Sequence, residues 1–155
     1  MRIENCKLKI RHSGFTLIEL LVTSVIIMIL AGSGLAAYNN FNDKQTLDAA
    51  AAELKNNLRM ARSWAMVVKK SCDDPADGYQ ISFTANNYSI QEKCGGSLMG
   101  SPQTFSYPSG VTGSVSSSFI FKPLTGGVGS DIAITLALKL LEPKTVTIKT
   151  NGEIE

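Results

Sequence analysis

Residues 15–37, FTLIELLVTSVIIMILAGSGLAA, form an apolar run that carries one charge, Glu19, in 23 positions. As a helix rising ~1.5 Å per residue the run covers roughly 35 Å, enough to cross a hydrocarbon core of ~30 Å. Arg2, Lys7, Lys9 and Arg11 precede it against a single Glu4. The positive-inside rule then keeps the N-terminus in the cytoplasm and exports the rest, a single-span topology. A secretory signal peptide would also open on a basic stretch and an apolar core, with AGSGLAA as its cleavage region. The run is long for a signal core, however, and helix-forming sequence continues straight past it.

The chain has 155 residues, a single-domain length, and a net charge of +2. Without residues 1–14 the balance is 11 Lys+Arg against 12 Asp+Glu, or −1. His12, the one histidine, and Cys6 fall in that same opening segment. Cys72 and Cys94 both lie on the exported side, where an even pair most simply forms a disulfide. Closing a loop of about 22 residues contributes on the order of 3 kcal/mol in the chain-entropy model.

No proline or glycine interrupts Tyr38 to Lys70. Leu47, Ala51, Leu54, Leu58, Ala61, Ala65 and Val68 recur at spacings of four and three, one apolar stripe of an amphipathic helix. Asp48, Glu53, Lys55, Asn57, Arg59 and Arg62 are expected on its other faces, Lys69 and Lys70 suit the helix dipole at its end, and Asp74-Pro75 stops it. Gly32 and Gly34 in AGSG each cost roughly 1 kcal/mol against alanine and mark the weakest part of a helix over 15–70. After Pro75 the pattern has period two. GYQISFTANNYSIQEK reads as a β-hairpin turning at Asn86-Asn87, since asparagine tolerates positive φ. Further strands are expected at 104–107, 117–122, 132–140 and 145–149, a loop at 95–103, a hairpin turn at 126–129 and a late turn at 150–153. Strands following one helix, without alternation, imply an antiparallel α+β domain whose sheet covers the 47–68 stripe, with Trp64 in a structural role.

GFTLIELLV at 14–22 closely resembles the processing site of type IV prepilins and of type II secretion pseudopilins: a short basic leader, glycine before the cut, phenylalanine after it and glutamate at the fifth mature residue. The resemblance implies a leader at 1–14 and cleavage between Gly14 and Phe15 by an inner-membrane prepilin peptidase. It also implies N-methylation of Phe15, S-adenosylmethionine serving the modifying enzyme. The remainder is similar to the GspH/FimT group of minor pilins and pseudopilins, through LRMARSWAMVVKK, GYQISF, FIFKPLTGGV and VTIKTNGEIE. One departure is Ala36 where many major pilins have a late proline. The fold class so implied is α+β and pilin-like: a membrane and filament-core helix at 15–37, then a head at 38–155 with a helix at 38–70 and a sheet at 78–155. The implied partners are the prepilin peptidase/methyltransferase, other pilins in a helical filament, and the inner membrane, with the head periplasmic.

Glu19 has a physical account beside the resemblance. An unpaired carboxylate in hydrocarbon costs roughly several kcal/mol. Cleavage after Gly14 creates a cation, the amine of Phe15, which Glu19 of a neighbouring subunit can meet, and a helix N-terminus favours a negative charge in its first turn. A glutamate that snorkels to water is the plain alternative.

Catalysis is not expected. Past residue 14 there is no histidine, so Ser-His-Asp and Cys-His nucleophile systems and histidine-based zinc sites are absent. DDPAD at 73–77 offers hard oxygen ligands for calcium, but without the regular spacing of an EF-hand, and a solvated turn accounts for it. No cofactor or metal is expected. DNA uptake is the rival function, resting on Lys139, Lys144 and Lys149; these are sparse, lack interleaved aromatics and end beside Glu153 and Glu155.

Overall fold

The apolar run and the stripe that follows it both carry helical periodicity, and both are helical. A computed structural model describes residues 14–67, 76–114 and 118–155. Helix α1 spans Leu17–Val67. The expected end at Lys69 and Lys70, Val68 of the stripe and Asp74-Pro75 lie outside the described residues. The chain divides into two units, 1–40 and 41–155, so α1 contributes a segment to each.

In the first unit no described side chain of α1 is buried; Leu17, Ile18, Leu20, Ile27, Met28, Ile29 and Leu30 are each at least 65% exposed. By length and composition this part of the helix can cross a membrane.

Among the described residues the second unit is an α+β fold with seven strands. β1 (Ala76–Phe83), β2 (Asn87–Cys94), β3 (Ser97–Ser106) and β5 (Phe119–Phe121) form an antiparallel sheet in the order β3-β2-β1-β5. β4 (Val111–Gly113), β6 (Ile132–Leu138) and β7 (Lys144–Ile148) form a second, in the order β4-β6-β7. Two sheets therefore replace the single one expected. Alternation sets the inward faces: Ile81 and Phe83, Tyr88 and Ile90, Phe119 and Phe121, Ile134, Leu136 and Leu138, Val146 and Ile148 are all buried. They meet Leu47, Ala50, Ala51, Leu54, Leu58, Ala61 and Ala65 of α1 in one hydrophobic cluster, with Trp64 packed against it. The stripe of small and branched residues is thus the face that the sheets cover.

Asn57 departs from its expected polar face. It is buried, and its Nδ2 donates to the Tyr88 hydroxyl at 2.7 Å, which satisfies both groups. The expected β1–β2 hairpin forms, with Ile81 opposite Ile90 and Phe83 opposite Tyr88, but it turns at Ala85-Asn86, one residue before the expected Asn86-Asn87, and Asn87 already belongs to β2. Its turn does not use asparagine's tolerance of positive φ: the described non-glycine residues with φ > 0 are Leu124 and Lys139. Thr84 and Asn87 close the turn instead, through Thr84 N–H to the Asn87 carbonyl at 2.8 Å and the Thr84 hydroxyl to Asn87 Oδ1 at 2.7 Å.

Four further expectations need correction. Residues 97–103 of the expected loop are strand: β3 pairs with β2 from Cys94↔Ser97 to Asn87↔Ser106. As an edge strand it is held by β2's backbone, so its exposed side chains show no burial alternation. Val111–Gly113 was not expected as a strand at all. The Gly126–Gly129 segment is no hairpin turn, because β5 and β6 belong to different sheets. Finally, β6 stops at Leu138, two residues short of the expected end. Lys139 turns at φ 52°, a left-handed conformation that costs a side-chain-bearing residue roughly 1–2 kcal/mol, and the Leu141 N–H bonds back to the Leu138 carbonyl at 3.1 Å. Leu140, next in phase with the inward residues, is turned fully into solvent.

Candidate processing and assembly site

The start of α1 is built on a threonine. Thr16 precedes the first helical residue, its carbonyl accepts the Glu19 and Leu20 N–H groups at 3.1 and 3.2 Å, and its hydroxyl accepts the Glu19 N–H at 3.3 Å. Thr16-Leu17-Ile18-Glu19 has the spacing of a capping box, in which the residue three past the cap is Glu or Gln. Glu19 therefore stands in the first turn for a local reason as well, where the helix dipole favours its charge. The sequence carried this signal in T-x-x-E, and Thr16 was missed. Gly14 and Phe15 lie just before the helix in non-helical backbone, Phe15 82% exposed. A Cβ built on Gly14 meets nothing within 4 Å. The expected cleavage point is thus an open, non-helical entry into a capped helix.

Two hydroxyls follow within the apolar run. Thr23 donates to the Leu20 carbonyl at 3.1 Å and Ser24 to that of Leu21 at 2.8 Å. Bonds to the preceding turn satisfy these donors without water, so both residues fit a hydrocarbon surrounding. Glu19 remains the one ionisable group of residues 15–37. A helix apolar on all its faces, with none of them buried, has no stable arrangement in water and fits a bilayer or the interior of an assembly.

Within the second unit Cys94 is buried at the end of β2 and is disulfide-bonded. Cys72 lies outside the described residues. Asp77 of the acidic DDPAD stretch accepts the Gly96 N–H at 2.6 Å, and among the described residues no three His, Cys, Asp or Glu groups gather as for a metal. The three lysines of the nucleic-acid expectation are each in ion pairs: Lys139 with Asp43 at 2.6 Å, Lys144 with Asp48 at 2.8 Å, and Lys149 with Glu153 at 3.9 Å and with Glu155. Glu155 holds the Lys149 ammonium charged and raises its pKa.

FIFKPLTGGV and VTIKTNGEIE meet at the far end of α1, around Arg62. The Leu124 N–H donates to the Ala65 carbonyl at 3.1 Å, and Arg62 Nη2 donates to the Asn151 carbonyl at 3.2 Å. A Cβ on Gly126 would come within 2.8 Å of Arg62 Cγ, and one on Gly152, at φ 79°, within 2.0 Å of the Gly126 carbonyl oxygen. Glycine is required there by contact and by backbone together. The last residues then return along β7, with paired bonds between Thr147 and Glu155 and with Ile154 buried. Arg62, expected on a polar face, is the residue on which the two turns converge; its Nε is buried without a hydrogen-bond partner among the described residues.

Residues 9–35 match the family model of the prokaryotic N-terminal methylation motif. No curated protein and no solved structure matches the chain. The motif overlaps the capped start of α1, apolar except for Glu19, Thr23 and Ser24, and the stripe from Leu47 to Ala65 of that helix packs on antiparallel sheets. Motif and fold together support a type IV pilin-like family for this chain.

Proposed function

We propose that the chain is a minor pilin or pseudopilin, a structural subunit of a type IV pilus or of a type II secretion pseudopilus, acting at the start or tip of the filament. The observation that carries this is the coincidence of three features: the methylation motif, an open Gly14-Phe15 entry, and an apolar run over residues 15–37 whose only charge, Glu19, sits in the first turn of α1. In this proposal residues 1–14 are a leader, residues 15–37 span the inner membrane with the leader cytoplasmic, and residues 38–155 form a periplasmic head. Prepilin peptidase cuts after Gly14 and the amine of Phe15 is methylated. The Cys72–Cys94 disulfide then ties the segment after α1 to the end of β2.

Assembly moves the apolar helix from bilayer to filament interior, where Glu19 meets the Phe15 amine of a neighbour. Glu19→Val removes the one charge from the span, which eases insertion by up to roughly 2.5–3.5 kcal/mol for a mid-membrane acid and less near the interface. It leaves the neighbour's amine unpaired in a low-dielectric interior, at a cost of about a few kcal/mol. Cells are fractionated into membrane and sheared-filament pools. The variant is expected at normal levels in membranes and lost from filaments. Normal recovery in filaments would show that Glu19 does not register subunits, and loss from both pools would assign it to insertion or folding.

A further inference from the structure

The outer strand of the first sheet is interrupted where it borders α1. β3 pairs with β2 at Ile90↔Gln103 and again at Glu92↔Met99, so Gly100, Ser101 and Pro102 together face the single residue Gln91. Gly100 takes φ 70°, and Gln91 Nε2 donates to its carbonyl at 2.8 Å, which braces the bulge. Bulges bend a strand out of its ladder and recur beside functional sites. Here the bend borders a groove of about 320 Å³, lined by Trp64, Tyr79, Glu92, Met99, Ser101 and Gln103. Small-ligand sites occupy ~300–1,000 Å³, so this one has room for a short saccharide and not for a dinucleotide.

The lining selects among ligand classes. Trp64 and Tyr79 bring two rings to the groove, their centroids 5.7 Å apart and their planes 48° from parallel. Glu92, Ser101 and Gln103 add a carboxylate, a hydroxyl and an amide. Among the described residues no Lys, Arg or His lines the groove. Burial raises the Tyr79 pKa and the charge of Glu92 raises it further, so the field at the rings is negative. Phosphates, nucleotides and acidic sugars are therefore disfavoured. A wholly apolar ligand would desolvate the amide and the carboxylate without replacing their hydrogen bonds. A neutral pyranose meets both demands. Its C–H face lies on an indole or phenol ring, and the hydroxyls at its edge exchange hydrogen bonds with amide and carboxylate.

We propose that the groove between the Trp64–Tyr79 ring pair and the β3 bulge binds a neutral glycan through its pyranose rings. The site lies wholly within the second unit, and the proposal does not depend on membership of a filament.

Trp64 is the one tryptophan of the chain, so its emission reports on the groove directly. The full chain, in a detergent without a sugar headgroup, is titrated with neutral tetramers of N-acetylglucosamine, of β-linked glucose and of α-linked glucose. The emission is expected to change saturably with at least one of them, with a Kd of about 1 mM or tighter. Gln103→Ala removes an amide at an exposed position and is expected to weaken that binding about fivefold. Thr104→Ala, exposed on the same strand and outside the groove, is expected to leave it unchanged. Tetragalacturonate, an acidic sugar of the same length, is expected to give no saturable response. The absence of a saturable response to any neutral tetramer overturns the proposal. An affinity that Gln103→Ala and Thr104→Ala change equally places the binding elsewhere and overturns it too. A response to trilysine alone would assign the groove to a basic peptide, which also overturns it.

Discussion

The two parts of α1 have the same backbone and opposite surroundings. From Leu17 to Leu30 the apolar side chains cover every face and none is buried, whereas between Leu47 and Ala65 the helix buries one stripe, Leu47, Ala50, Ala51, Leu54, Leu58, Ala61 and Ala65, at most 8% exposed, and leaves Ala49 and Ala52 on the exposed side. The first pattern suits a solvent that is itself apolar, and the second suits a helix between water and a core. Secondary structure does not distinguish them; the angular distribution of side chains does. One helix thus serves two environments, and each residue's tolerance to change depends on which environment it meets.

The largest expected contrast follows from truncating an apolar side chain in each part. Leu58 is fully buried, so Leu58→Ala removes transfer energy and leaves a cavity, for a loss of about 3 kcal/mol in head stability. Ile27→Ala, at a position 65% exposed, leaves the unfolding midpoint of the head unchanged. Denaturant unfolding of the full chain in detergent, followed by the head's tyrosine and tryptophan signals, measures both.

Glycine offers the same contrast with smaller magnitude. Gly152→Ala puts a Cβ against the Gly126 carbonyl at a φ of 79°, and a loss of about 2 kcal/mol is expected from the backbone and the displacement together. Gly32 lies in α1 with nothing within 4 Å of its Cβ position. Gly32→Ala should raise helix content and add up to about 1 kcal/mol of local helix stability, read by circular dichroism on a peptide of residues 15–45 in detergent. Equal effects at the two glycines would break the comparison.

The smallest effect is a pH dependence confined to the head. Burial pushes the Tyr88 hydroxyl up to about 12 from 10.0, with its Asn57 bond lowering it and Glu53 raising it further, and burial raises Tyr107 as well. Above about pH 10 the unfolded tyrosines release protons while folded Tyr88 keeps its own. Stability is therefore full below pH 10 and falls as pH rises toward 12; the raised Lys149 acts with the same sign. Tyr88→Phe should make this fall shallower, while costing about 1.5 kcal/mol at neutral pH by leaving the Asn57 amide without this partner. Thermal melts at pH 8 to 12 check both.

The sequence shows what periodicity and motif can encode. The stripe of Leu47 to Ala65, the hairpin of Tyr79 to Ile90 and the methylation motif within residues 9–35 were all legible, because each is a local pattern. β3 was not, since an edge strand needs only a partner's backbone, and Gly96 just before it with its own Gly100 and Pro102 imitate a loop. The burial of Asn57 depends on Tyr88, 31 residues away, and the place of Arg62 on turns that follow 60 and more residues later. Leu140 misled for a sharper reason: its parity was inward, and one left-handed residue reversed it. Thr16 was readable from T-x-x-E but was hidden behind the more conspicuous Glu19.

The central claim is that the exposed apolar helix begins at a processed terminus, and the intact mass of the protein extracted from membranes tests it most directly. The account predicts the mass of residues 15–155 with one added methyl group on Phe15. It also predicts that Gly14→Val, which sets a branched side chain where the protease needs close backbone approach, retains residues 1–14 in the same membrane pool. Wild-type protein that keeps residues 1–14, or that begins beyond residue 37, would contradict the account.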